Sequence, residues 1–299
     1  MSAKTGKRSR LRFWALTAAV VVGAGGACAY VVTRDQKAAA QASEAPAPRE
    51  SALANSANHG VVTTPAAPAS PSTKAAPSSV LPFNAKLSSK DIPVAGGGVR
   101  TGGCSGSLVA PDWVVSAGHC FHDLNNNRVE GAPPYHVTVA IGKLKDSDAG
   151  GYVANVVDVK QSPINDLALV RLDTAITDIT PLKVSARKPA VGQKLQFAGW
   201  GSLSAKVIVQ SDHLKRGQFR VAKVTSTVLE AESLVPRTVE NSPCPDDSGG
   251  PFFTTDDDRT GTLVAIVNDG PSCPQPGRET IARVDVVASW IAQQTGIKS

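Results

Sequence analysis

The stretch Cys244-Pro245-Asp246-Asp247-Ser248-Gly249-Gly250-Pro251 sets a serine between an acidic pair and two glycines followed by proline. Glycines beside a serine leave the backbone free for a tight turn and let amide N–H groups come close to a reacting carbonyl. Asp, Ser, Gly and Pro are also ordinary turn formers, so the stretch by itself reads equally well as a surface loop. To act as a nucleophile Ser248 needs a base and a carboxylate to orient that base. His119 offers the first, closing an apolar run beside Cys120. Asp166 offers the second, at the head of the apolar run Leu167–Leu172. An aspartate leading such a run is partly buried, and a buried charge needs a partner, for which an imidazole is a natural choice. His122 and His136 lack comparable flanks and read as structural, while His59 reads as a solvated side chain.

These residues must be positioned by short elements. Ser107–Ala110, Trp113–Ala117, Tyr135–Ile141, Tyr152–Val159, Leu167–Leu172, Lys194–Ala198, Gln218–Leu229, Leu263–Val267 and Ile281–Val284 are apolar or alternating runs, many rich in Val, Ile and Thr. Gly, Pro, Asn or Asp separates them, a pattern that favours an antiparallel β sandwich or barrel. Only the end reads as a helix, with Asp285 as its cap and Val286, Val287, Trp290 and Ile291 on one side. The expected fold class is all-β with a C-terminal helix.

The folded part is expected over residues 80–299. Ahead of it, Phe13 to Val32 is a run of twenty residues without a charged side chain. As a helix rising about 1.5 Å per residue it spans a bilayer core of roughly 30 Å. Lys4, Lys7, Arg8, Arg10 and Arg12 precede it, which keeps the N-terminus cytoplasmic and exports the remainder. Residues 1–33 are thus expected to be a membrane anchor, or a signal peptide cleaved near Ala27-Cys28-Ala29. Residues 34–79 are dominated by Ala, Pro and Ser and read as a disordered tether. The formal charge of +6 resides largely in those first residues. The folded part carries no basic stripe, which excludes nucleic acid as the expected partner.

Outside the apolar run four cysteines remain, Cys104, Cys120, Cys244 and Cys273. An even number in an exported domain points to two disulfides, with three pairings open. No compact metal-ligand spacing occurs; Asp123, Asn125, Asn127 and Glu130 only superficially suggest a calcium loop, lacking the glycine and full spacing of an EF-hand. Neither a metal nor a cofactor is expected.

In order, these motifs resemble the chymotrypsin/trypsin family of serine endopeptidases, in an exported, bacterial form. Residues 104–120, CSGSLVAPDWVVSAGHC, resemble the family's histidine motif, and 165–170, NDLALV, its aspartate motif. Gly199-Trp200-Gly201 matches "GWG", and Asp246 to Pro251 resembles "GDSGGP". The resemblance implies a double six-stranded antiparallel β-barrel and disulfides Cys104–Cys120 and Cys244–Cys273. It implies Ser248 as nucleophile, His119 as base and then acid, and Asp166 as the carboxylate that fixes the imidazole. Backbone N–H groups of Asp246 and Ser248 would hold the oxyanion, each contributing about 3 kcal/mol. Ser242, Asn268, Asp269 and Gly270 would frame the substrate pocket. The resemblance further implies a monomeric, cofactor-free endopeptidase acting on proteins or peptides, membrane-anchored or secreted.

Three departures stand out. Asp246 replaces the family's glycine, Ser242 replaces the aspartate of trypsin-like pockets, and Asn268-Asp269-Gly270 replaces "SWG". The family also frees an "IVGG"-like terminus whose amine pairs with the aspartate before the serine, here Asp247. No such sequence stands near 78–82, and Val94-Ala-Gly-Gly97 lies too close to Cys104. Activation thus uses another cleavage, or Asp247 finds a partner within the domain. The alternative function is a weakly active or non-catalytic protease fold serving as an extracellular binding module.

Overall fold

A computed structural model describes residues 76–297, apart from 124 and 126. The anchor or signal segment and nearly all of the expected tether lie outside the described residues. Among the described residues no helix is long and apolar enough to cross a membrane.

Two β-barrels follow one another. The first comprises β1 (Asn84–Pro93), β2 (Val99–Ala110), β3 (Trp113–Ser116), β4 (His136–Ile141), β5 (Tyr152–Gln161) and β6 (Ala168–Leu172). They close in the order β1-β2-β3-β6-β5-β4. The second uses β8 (Lys194–Gly199), β9 (Lys215–Val224), β10 (Val228–Ser233), β11 (Pro251–Thr254), β12 (Thr262–Asp269) and β13 (Arg278–Arg283). Its ring runs β11-β8-β9-β10-β13-β12 and closes through β11–β12, with the short β7 (Lys183–Val184) laid parallel on β12. Closure leaves no long unpaired edge, and every inward position faces a core. Leu87, Leu108, Val115, Val139 and Leu169 fill the first. Phe197, Phe219 and Phe252 meet in the second with ring centroids 5.1–6.2 Å apart, in edge-on and tilted pairings that suit their quadrupoles.

Three details differ from the sequence reading. β1 and β11 were not expected: the first is rich in Ser, Lys, Asp and Asn, and the second is a four-residue strand opening on proline after two glycines. The run Gln218–Leu229 is two strands, turned at Thr225, whose N–H and hydroxyl both reach the Val228 carbonyl at 2.9 Å. No Gly or Pro marks that turn. The helix α1 spans Ala288–Thr295 after a 3-10 turn at Asp285–Val287. Asp285 does not cap it, because its carboxylate is held by Arg283, with Nη2–Oδ2 at 2.6 Å and Nε–Oδ1 at 3.0 Å.

The barrels are joined beside the residues of interest. Asn165 on the first donates to the Arg283 carbonyl of the second at 2.7 Å. Ser105 N–H of β2 donates to the Ser248 carbonyl at 2.9 Å, and Ser105 Oγ accepts the Trp200 N–H at 2.8 Å.

Candidate active site

His119 sits in a 3-10 turn, Gly118–Cys120, where the chain leaves β3. Asp166 lies two residues ahead of β6, and β3 and β6 are neighbours, so strand pairing brings the two residues together. The His119 backbone N–H donates to Asp166 Oδ1 at 2.8 Å, and His119 Nδ1 is 2.6 Å from Oδ2. Gly118 makes this approach possible: a Cβ there would lie 2.7 Å from Asp166 Oδ1. Asn268 adds a donor from the other barrel, with Nδ2 at 2.7 Å from Asp166 Oδ2 and 3.1 Å from its carbonyl. Burial alone would push the Asp166 carboxyl up, but the His119 and Asn268 donors outweigh it and hold the group below its ordinary range. An ionised Asp166 orients the imidazole with Nε2 outward.

Ser248 lies in the loop between Cys244 and β11. Gly249 turns the loop at φ +83°, and a Cβ there would meet Ser116 Oγ at 2.3 Å and the Ser105 carbonyl at 2.4 Å. Cys120, next after His119, puts its sulfur 3.9 Å from the Ser248 carbonyl. Within the loop, Asp247 N–H, Gly249 N–H and Gly250 N–H are each bonded to a backbone carbonyl. Among the described residues the N–H groups of Asp246 and Ser248 have no such partner, and no hydrogen bond joins Ser248 Oγ to His119 Nε2. Asp246 takes the left-handed conformation at φ 72°. Burial, then repulsion from Asp247, pushes its carboxyl up to about 6. Disulfides link Cys104 to Cys120 and Cys244 to Cys273, with Cα atoms 6.4 and 5.0 Å apart.

A cleft of about 290 Å³ opens beside Ser248, bounded by Cys244, Asn268, Asp269, Gly270 and Glu279 among others. Asn268 therefore both borders the cleft and supports Asp166, while exposed Asp269 accepts the Gly270 N–H at 2.8 Å. Ser242, expected to frame the pocket, is fully buried and does not line this cleft; its hydroxyl accepts from Arg237 Nε at 3.1 Å. Glu279 of β13 is a cleft residue that the sequence reading missed. It is 1% exposed, it is paired with Arg237 Nη2, and its Oε2 would lie 1.9 Å from a Cβ on Gly270. Burial, opposed by Arg237, pushes its carboxyl up to about 7. The signal was available: Glu279 alternates in phase with buried Ile281 on β13. Asp123 is occupied within its own turn, its carboxylate accepting from Asn125 N–H, Asn127 N–H and Asn127 Nδ2 at 2.8–2.9 Å.

Two closed antiparallel barrels with a histidine–aspartate pair on one and a glycine-flanked serine loop on the other define a chymotrypsin-like protein. Residues 72–291 match the family described as Trypsin, and the chain belongs to that family. It is similar to Transmembrane protease serine 5 of Homo sapiens, 27% identical over 63% of this chain and 45% of the relative. It is also similar to Transmembrane protease serine 11B of Homo sapiens, 29% identical over 65% and 50%. Serine protease 1 of Canis lupus familiaris is 26% identical over 64% and 79%. The chain thus spans about half the length of the two transmembrane relatives. These relatives are animal proteins and lend no support to the bacterial form expected from the sequence. Among solved structures, neuropsin, a serine protease expressed in the limbic system of mouse brain, shares the fold at a TM-score of 0.55 and 21% identity, over 72% of this chain and 94% of that one.

Proposed function

We infer that the chain is a serine endopeptidase acting through an acyl-enzyme on Ser248. The observation that carries this reading is the 2.6 Å contact between His119 Nδ1 and Asp166 beside a serine loop with two uncommitted N–H groups. Ser248 Oγ attacks the scissile carbonyl carbon while His119 Nε2 takes its proton. The carbonyl oxygen becomes an oxyanion, held by the Asp246 and Ser248 N–H groups. Asp166 stabilises the imidazolium, which returns the proton to the leaving amine as the C–N bond breaks. A water, deprotonated by His119, then releases the acid and restores Ser248. The link from Ser248 Oγ to Nε2 is one that substrate tightens, as is usual in unliganded enzymes.

The substrate is a protein or peptide; the exposed carboxylate of Asp269 suits the cleft to a positively charged side chain before the scissile bond, and the ionisation of Glu279, already paired with Arg237, sets how positive that end of the cleft is. Residues 80–299 form the protease domain, monomeric and free of cofactor, borne outside the cytoplasm by the N-terminal segment as an anchor or after its cleavage. The apolar run from Phe13 to Val32 and the names of the transmembrane relatives support that location. A fluorophosphonate probe is expected to label the protein, and Ser248→Ala to abolish the label. Equal labelling of that variant refutes the assignment. The second reading, a binding module of little activity, is favoured by Asp246 itself, a charged residue held at φ 72° in a loop whose N–H would have to serve the oxyanion. A folded protein that cleaves nothing in a diverse peptide library would establish it.

A further inference from the structure

Strand β9 alternates strictly at its start: Lys215, Gly217, Phe219 and Val221 are buried, and Arg216, Gln218 and Arg220 are exposed. The pleat therefore sends Lys215 inward with the aromatic core residues. An ammonium there must be paired, because an isolated buried charge is prohibitive. Lys215 Nζ lies 2.5 Å from Asp247 Oδ2, with both side chains fully buried. It also donates to the carbonyls of Ser242, Val239 and Ser202 at 3.1, 3.2 and 3.4 Å. Asp247 in turn accepts the Gly201 N–H at 2.7 Å and the Cys244 N–H at 2.8 Å. Gly199 and Gly201 are small for this reason, since Cβ atoms there would lie 2.0 and 2.2 Å from the Asp247 carboxylate oxygens.

One ion pair thus anchors three separate segments: the loop after β8, the segment leading to Cys244 and the loop that carries Ser248. Asp247 stands between Asp246 and Ser248, so the direction of its side chain sets the peptide planes that present their two free N–H groups. The described residues ahead of β1 are committed elsewhere. Ser78 N–H donates to the Gly142 carbonyl at 2.8 Å, Leu81 N–H to the Asp258 carbonyl at 2.6 Å, and Leu81 is fully buried.

We propose that Lys215 supplies, from inside the folded domain, the positive charge that holds the Ser248 loop in its working form, so that the uncut chain is competent and no new amino terminus is required. Lys215 is a positioning residue, touching Asp247 and not the substrate. The proposal rests on the reading of Ser248 as nucleophile.

The test measures the fluorophosphonate labelling rate of the full chain, with the mass of the labelled species recorded. Labelling at Ser248 of chains that retain sequence upstream of residue 76 is the expected result. Labelling only after a protease has cut ahead of β1 overturns the proposal and leaves the endopeptidase reading intact. No labelling before or after such a cut overturns both. Lys215→Met is close in shape but uncharged, and its labelling rate is expected to fall on the order of 100-fold, the size of a lost oxyanion donor, with near-UV circular dichroism unchanged. In Lys215→Ala, n-propylammonium is expected to restore labelling and neutral propanol to have no effect. A folded Lys215→Met variant that labels at the wild-type rate overturns the proposal. If neither variant folds, the mass of the labelled wild-type chain decides alone.

Discussion

Asp246→Asn tests the loop most directly, because it removes a charge while keeping a side chain that tolerates the left-handed backbone at φ 72°. Burial and the neighbouring Asp247 raise the carboxyl from 3.8 to about 6, which weighs against the ionised native form by at most about 3 kcal/mol. Asp246 is only half-buried, so solvent screening reduces this to about 1–1.5 kcal/mol. The sign follows from proton uptake: between pH 3.8 and about 6 the native state holds the proton that the unfolded chain has lost. The penalty on the wild type therefore builds up across that window and is complete above it. Urea unfolding should show Asp246→Asn more stable by about 1–1.5 kcal/mol at pH 7.5, a gain that shrinks from pH 6 toward pH 4. Asp246→Gly should add little more, since relief of the backbone, about 1 kcal/mol, is offset by the freedom that glycine gives the unfolded chain. Removing a negative charge from the residue whose N–H is proposed to hold the oxyanion should raise the labelling rate at pH 7.5 by up to about tenfold, the Coulomb scale of two like charges a few ångströms apart in a partly solvated site. A stability gain that ignores pH, or a loss of stability, would refute the reasoning and make the carboxylate a structural anion held by the Gly103 backbone N–H, which favours its charged form.

Glu279, at about 7, should make selectivity pH-dependent. The ratio of kcat/KM for peptides with Lys against norleucine before the scissile bond should rise about tenfold from pH 6 to pH 8 as the carboxylate ionises. Glu279→Gln should flatten the profile, and a slope that persists in that variant removes Glu279 from the pocket's chemistry. Gly201→Ala drives a Cβ to 2.2 Å from the Asp247 carboxylate and should destabilise the domain by about 3 kcal/mol or more in thermal or urea unfolding, with loss of labelling. Wild-type stability there would mean that the Lys215–Asp247 pair can shift without harm.

The residues proposed for catalysis were legible because their chemistry demands particular types in particular local settings. A histidine closing a strand beside cysteine and a serine among glycines remain recognisable without knowledge of their neighbours. Lys215, Glu279 and Asn268 were less legible because their roles depend on partners 32, 42 and 102 positions away in sequence, at Asp247, Arg237 and Asp166 respectively. Lys215 and Glu279 nevertheless left a trace, each a charged residue in phase with buried apolar ones on a strand. Asp285 shows the opposite error, since a good capping residue was captured by an adjacent arginine. The polar strand β1 escaped notice because ring closure, pairing it with both β2 and β4, stabilises it more than its own composition does.

The strand order of the second barrel has a consequence for timing. β13 lies between β10 and β12, so the ring cannot close until the segment Arg278–Arg283, near the end of the chain, has emerged. The six strands of the first barrel, and the His119–Asp166 contact they set up, are complete at Leu172, although its core also draws on Ile176, Leu182, Ile266 and Ala282 from later in the chain. A chain still being synthesised can therefore bring His119 and Asp166 together before the Ser248 loop is in place. The site proposed for hydrolysis is therefore complete only once β13 has joined the ring.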